Sequence, residues 1–181
     1  MRVIAGRWGG RLLQAPKGRA TTRPTADRVK EALFSMLGTV ESERVLDLFA
    51  GTGALGIEAL SRGAKRAVFV ERDAAALVAL RANLEGLGLR ESEAEVRRAE
   101  ALGALRGARK HSETYDLVLI DPPYRRASDL GGELVLVLES LLEPQARVVV
   151  ESDRRAPLQL PWEIEKERRY GDTSITIHRY Q

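Results

Sequence analysis

Cysteine is absent from this 181-residue chain, which excludes disulfides and thiolate metal sites and agrees with a reducing compartment. Histidine is nearly absent. His111 and His178 stand far apart, offer no metal-ligand spacing and read as ordinary surface residues, so no metal is expected. No apolar run approaches the roughly 18 residues needed to cross a bilayer. The start, "MRVIAGRWGGRLLQAPKGR", sets arginines where a secretion signal needs its apolar core, so a cytoplasmic protein with no membrane attachment is expected. There is no low-complexity tract, no internal repeat and no domain linker. Lysine is scarce too, with five against 24 arginines, a bias that reflects genome or growth temperature. What remains is globular: 44% hydrophobic and 30% charged, enough for one sizeable core.

Net charge is only +3, but it is unevenly spread. Residues 1–30 carry eight basic side chains (Arg2, Arg7, Arg11, Lys17, Arg19, Arg23, Arg28, Lys30) against Asp27, a net +7, so the rest sums to −4. That asymmetry points to a basic face for a polyanion on a near-neutral body. Residues 1–24 hold Gly and Pro at close intervals, and "RVIAG" with "GRLLQAP" predict a small β-hairpin extension. Ile4 and Leu12 would anchor it to a domain spanning 25–181.

Beyond it, Thr25 is the expected N-cap of a helix through "ADRVKEALFSML", closed by Gly38. The pattern then alternates. Strands are predicted at 44–50, 66–72, 93–100, 115–124 (running into a Pro-rich loop) and 146–153, with helices in "GALGIEALSRG", "AAALVALRANLEGLG" and "GGELVLVLESLL". Such alternation argues for right-handed βαβ units and a parallel sheet. The end, "WEIEKERRYGDTSITIHRY", reads instead as two antiparallel strands around a Gly171-Asp172 turn.

Ligands of open α/β sheets bind at the carboxyl ends of the strands, and four loops end there with polar residues. The first holds Asp47 and Gly51-x-Gly53-x-x-Gly56, the spacing of dinucleotide-binding loops. Asp47 would repel a pyrophosphate and attract a ligand ammonium. Glu71 lies 20 residues after Gly51, where an acid accepts both hydroxyls of a ribose. In "RRAEA", Glu100 or the neighbouring backbone N–H of Ala101 could meet an adenine edge. The fourth loop is Asp121-Pro-Pro-Tyr124. Its two prolines remove two backbone donors, which leaves the Asp121 carboxylate and the Pro122 carbonyl as acceptors on a stiff support. Two acceptors aimed at one point suit an exocyclic amine, and Tyr124 offers a ring for an unstacked base.

Together these residues resemble the S-adenosylmethionine-dependent methyltransferases of nucleobase amino groups. The segments "RVIAGRWGGRLL", "RPTADRVKEALFSML", "DLFAGTGALGIEALSRGA", "VERD", "DLVLIDPPY" and "YGDTSITIHRY" are similar to the bacterial RsmD-type 16S ribosomal RNA guanine-N2 methyltransferases, from Arg2 to the C-terminus. The resemblance implies a Rossmann-like class I α/β fold, with a seven-stranded, mostly parallel sheet ending in an antiparallel hairpin. It implies one guanine of the small subunit's 16S rRNA as substrate and S-adenosylmethionine as cofactor; nothing in the sequence suggests an obligate partner chain, so a monomer is expected. By the same resemblance Asp47, Gly51 and Gly53 hold the methionine part, Glu71 the ribose, and Glu100 and Ala101 the adenine. Asp121, Pro122 and Tyr124 hold the target base. Glu100 departs from the family, where aspartate is commoner. Arg2, Arg7, Arg11 and Arg23, with Arg125 and Arg126 beside the base pocket, are the expected RNA contacts. Adenine-N6 or cytosine-N4 methylation, a nicotinamide-dependent oxidoreductase and a non-catalytic RNA binder stand as rivals.

Overall fold

A computed structural model of the chain describes residues 1–16, 27–122, 127–154 and 157–181, the side chains of 127–131 apart. Among them are α1 (Asp27–Leu37), β1 (Arg44–Asp47), α2 (Ala54–Ser61), β2 (Arg66–Glu71), α3 (Ala74–Gly86) and β3 (Ala94–Arg98). Then come α4 (Ala101–Lys110), β4 (Tyr115–Ile120), α5 (Ala127–Leu138), β5 (Leu142–Asp153), β6 (Glu163–Tyr170) and β7 (Thr173–Arg179). The seven strands form one sheet in the order β3-β2-β1-β4-β5-β7-β6. The first five are parallel, and β7 runs antiparallel between β5 and β6. The order reverses between β1 and β4, which is where such sheets open a crevice for ligands.

Apolar residues on both sides of each central strand explain the layering. Leu117–Ile120 of β4 are all buried, alternating between two cores. Leu117 and Leu119 meet Phe34, Ile57 and Leu80 from α1, α2 and α3. Val118 and Ile120 meet Leu105 from α4 and Leu134 and Leu138 from α5. A strand covered on both faces has no polar alternation, as parallel sheets require. None of the described helices is long and apolar enough to cross a membrane.

The structure corrects several of the sequence-based expectations. Helix α4 is not predicted, because its buried stripe is Ala101, Ala104, Leu105 and Ala108. Three alanines out of four give little hydrophobic signal, and Gly103 and Gly107 weaken the helix pattern further. The N-terminal segment pairs back on itself around the antiparallel bridge of Arg2 and Leu12, with the Val3 and Leu13 N–H groups donated to the Arg11 and Met1 carbonyls. Its anchors are Val3, Trp8 and Leu13, all buried, whereas Leu12 is 82% exposed and Ile4 only half-buried. His178 is buried in β7, with Nδ1 3.0 Å from the Trp162 carbonyl, and is no surface residue. Thr25 lies outside the described residues.

Candidate active site

Four acids stand in a row across the sheet. Glu71 ends β2, Asp47 ends β1, Asp121 follows β4, and Glu151 lies two residues before the end of β5, on four neighbouring strands. Register places them on one face. Asp47 pairs with Phe69 and Leu119, and Glu71 and Asp121 lie two residues beyond those partners. Val149, two before Glu151, pairs with Leu119 as well. With a side-chain period of two, all four point toward the face covered by α1, α2 and α3.

Crowding carboxylates at the edge of a core makes ionisation costly. Asp47 is 2% exposed, and burial, aided by the charge of Glu71, pushes its pKa up to about 7. The Gly56 N–H, donated to Asp47 Oδ2 at 2.9 Å, works in the opposite direction. Asp121 is raised well above the carboxylate range, first by burial, then by Glu151 and Asp47. Two like charges at 4 Å cost about 4 kcal/mol at an effective dielectric of 20. A cation in this crevice relieves that repulsion, whereas a pyrophosphate adds to it.

The glycine loop between β1 and α2 divides its three glycines by role. A Cβ on Gly51 would meet nothing within 4 Å, so the loop is open there. Gly53 is left-handed (φ 84°), and a Cβ would stand 2.4 Å from Leu80 Cδ1. A Cβ on Gly56 would lie 2.4 Å from the Phe69 ring. Gly53 and Gly56 thus let α2 close onto the sheet, and Gly51 leaves room for a ligand. Glu71 bridges the loops: Oε2 accepts the Gly51 N–H at 2.8 Å, and Oε1 accepts the N–H groups of Arg72 and Asp73, each at 2.7 Å.

Ala101 is buried at the start of α4, where the first backbone N–H groups lack helical partners. Glu100 precedes it with a 60% exposed side chain that pairs with Arg72 at 2.5 Å, directed away from a capping role. Asp121 is half-buried and Pro122 buried. Tyr124, Arg125, Arg126 and Arg23 lie outside the described residues. Arg2 bonds Asp27 at 3.1 Å, and Arg7 stacks 4.7 Å over the Trp8 ring with Glu93 3.7 Å away. Arg11 is exposed.

Three residues that matter here carried no prediction. Glu58, fully buried in α2, accepts the backbone N–H of Ile4 at 2.7 Å and of Ala5 at 3.1 Å, beside Lys30 at 3.3 Å and Arg62 at 2.8 Å. Asn83 donates to the carbonyls of Thr52 (3.0 Å) and Gln14 (3.2 Å) and accepts the Gln14 N–H at 2.7 Å. The basic N-terminal segment is therefore fastened to the helix and loop that form the crevice. Glu151 is the third, and its signal was in the sequence: an acid directly after the apolar run "VVV", as Asp121 follows "LVLI". Glu58, the one charged residue of α2, and Asn83, between Arg81 and Glu85 in α3, carry a weaker signal.

Three comparisons with known proteins agree with this geometry. The sequence profile of the family described as "Conserved hypothetical protein 95" matches residues 1–179. A Haemophilus influenzae protein named ribosomal RNA small subunit methyltransferase D is 35% identical over 99% of this chain and 93% of its own. A solved structure of a hypothetical protein from Thermus thermophilus superposes with a TM-score of 0.84 at 31% identity, covering 99% of both chains. In fold alone, at 23% identity and a TM-score of 0.70, the chain also matches a T. thermophilus 16S rRNA N2 G1207 methyltransferase solved with AdoMet and guanosine. The match covers 91% of this chain and 45% of that one.

Proposed function

The chain belongs to the Conserved hypothetical protein 95 family, and from that premise we propose that it methylates the exocyclic N2 of a guanine in 16S rRNA of the small ribosomal subunit, with S-adenosylmethionine as donor. The observation that carries this reading is the row Glu71–Asp47–Asp121–Glu151, a crevice built for a cationic ligand next to a rigid pair of acceptors.

The residues present fit the cofactor. The open side of Gly51 and the buried charge of Asp47 suit an amino-acid ammonium, with Gly53 shaping the turn. Glu71 has the acceptors for a ribose, and the start of α4, at Glu100 and Ala101, faces the place of an adenine. When bound, S-adenosylmethionine supplies a methyl carbon activated by its sulfonium.

The protein's own work is on the amine. The lone pair of guanine N2 is delocalised into the ring, which makes it a poor nucleophile. The Asp121 carboxylate and the Pro122 carbonyl each accept one N–H, orienting the nitrogen and favouring its pyramidal form. Tyr124 supports the base by stacking. As the new N–C bond forms, positive charge grows on N2, and the Asp121 carboxylate offsets it. Its raised pKa makes Asp121 an acceptor for the proton then released. Holding both reactants in line supplies much of the remaining acceleration.

Arg2, Arg7, Arg11 and Arg23, on an extension spanning 1–24, and Arg125 and Arg126 beside the pocket hold RNA phosphates. The enzyme works as a cytoplasmic monomer, with residues 25–181 as its catalytic domain. Titration calorimetry with adenosylmethionine and with NADH, followed by labelled-methyl transfer to small subunits, naked rRNA and duplex DNA, tests the reading. Adenosylmethionine binding with transfer to small-subunit rRNA supports it. NADH binding, or transfer to DNA alone, contradicts it.

A further inference from the structure

The chemistry at Asp121 makes no use of the strand pair that carries "YGDT". Strand β6 runs parallel to β5, with β7 between them, so the carboxyl end of β6 lies at the same end of the sheet as the acids. Register aligns the two. Ile175 pairs with Glu151 on one side and Arg168 on the other, and Ile177 pairs with Val149 and Lys166. Ile175 and Ile177 belong to the core beneath α1, so Lys166, Arg168 and Tyr170 project on that face too. Arg168 stands three strand spacings from Asp121, ~14 Å along one cross-strand row.

Between β6 and α1 runs a groove of about 340 Å³, lined by Ala32, Ser35, Met36, Lys166, Arg168 and Tyr170. Strand alternation sorts its charge. Glu167 bonds Arg169 at 3.0 Å on the opposite face, and Glu165 bonds Arg179 at 2.5 and 2.8 Å. On the groove side Lys166 donates to the Met36 carbonyl at 2.7 Å, with Glu165 3.6 Å away. Arg168 is exposed, and no described carboxylate pairs with it. Exposed Arg28 lies on the same stripe of α1, four residues before Ala32 and seven before Ser35. Its neighbour Asp27 is bonded to Arg2, which ties the start of α1 to the basic N-terminal segment.

We propose that this groove, through Lys166, Arg168, Tyr170 and Arg28, holds the sugar-phosphate backbone of the RNA strand that carries the target base, as a second track leading to Asp121. The inference rests on the RNA methylation reading and adds where the substrate strand runs. Cations beside an aromatic ring, over a floor of small side chains, fit a single strand whose phosphates pair with the basic side chains and whose nucleobase stacks on Tyr170. Among the described residues the groove presents no exposed large apolar side chain of the kind a protein partner would cover; Ile164, the exposed one on β6, pairs with His178 of the other face.

The test compares wild type with Arg168→Glu and Arg169→Glu, two equal charge changes on opposite faces of one strand. Methylation of small subunits and filter retention of naked 16S rRNA are measured from about 50 to 200 mM salt. Arg168→Glu is expected to raise the RNA KM and Kd about tenfold and to flatten the log–log salt slope by about one. Adenosylmethionine Kd and melting temperature should stay at wild-type values, and Arg169→Glu should behave as wild type. Arg168→Gln repeats the comparison if the reversal impairs folding. Equal effects of the two reversals overturn the track. So does a defect seen with subunits while retention of naked rRNA is unchanged, which assigns the groove to a ribosomal protein. A wild type that neither methylates nor retains RNA overturns the methylation reading itself, a result distinct from either.

Discussion

Glu71 accepts the Gly51 N–H at 2.8 Å, so one carboxylate ties the loop after β2 to the loop after β1. With the Arg72 and Asp73 N–H groups also on it, most of its acceptor sites are engaged. A ribose must share or displace the Gly51 contact. Glu71→Gln presents an amide where backbone donors converge, and it should weaken adenosylmethionine binding by about 1.5–3 kcal/mol, tenfold or more in Kd, with a smaller effect on kcat. Calorimetry showing an unchanged Kd rejects the ribose role.

Asp47 predicts a pH dependence. Folding raises its pKa from an ordinary 3.8 to about 7, so between those values the native protein holds more protons than the unfolded chain. Its contribution to stability is full below about pH 4 and is lost as pH rises through 7, at up to about 1.4 kcal/mol per unit. Asp47→Asn keeps an oxygen for the Gly56 N–H and removes the titration. Urea unfolding from pH 4 to 8 should therefore show wild type losing stability relative to Asp47→Asn. Adenosylmethionine affinity should rise over the same range in wild type only.

Asp121 and Glu151 occupy adjacent strands, and the charge of Glu151 helps keep the Asp121 carboxyl protonated. If ionised Asp121 accepts the amine, turnover rises with pH through its pKa. Glu151→Gln removes one repelling charge and should shift that rise to lower pH without abolishing turnover. Asp121→Ala should cut kcat by orders of magnitude, with adenosylmethionine Kd changed far less. A kcat profile that Glu151→Gln leaves unmoved would separate the two residues.

Lys30 and Glu58 form an ion pair with both side chains fully buried, 3.3 Å apart. Lys30→Met strands part of the Glu58 charge, and Arg62 compensates only in part. Breaking such a pair costs about 3–5 kcal/mol. Because Glu58 also holds the Ile4 and Ala5 N–H groups, hydrogen exchange at those amides should accelerate along with the fall in melting temperature. Loss of stability without faster exchange there would uncouple the pair from the N-terminal segment.

Residues with a strong periodic or punctuating signal are legible in the sequence alone. "DLVLI" and "RAVFV" read as buried strands, and the acid after each, Asp121 and Glu71, marks the ligand end of the sheet. Helix α4 escapes because alanine buries well yet signals weakly. The N-terminal anchors are misassigned because short Gly-rich segments fix no face. Val3 and Leu13, adjacent to the expected Ile4 and Leu12, turn inward instead, and Gly6 approaches Ser61 so closely that a Cβ would overlap its carbonyl. Asn83 and Glu58 fasten the N-terminal segment and the glycine loop through contacts 31 to 69 residues away in sequence, which no local pattern reveals.

The central claim is the identity of the methylated atom. Small subunits lacking the modification, incubated with the enzyme and methyl-labelled adenosylmethionine and then digested to nucleosides, should release the label as N2-methylguanosine, and none with Asp121→Ala. Label recovered as N6-methyladenosine or N4-methylcytidine, or label undiminished in Asp121→Ala, would contradict the account.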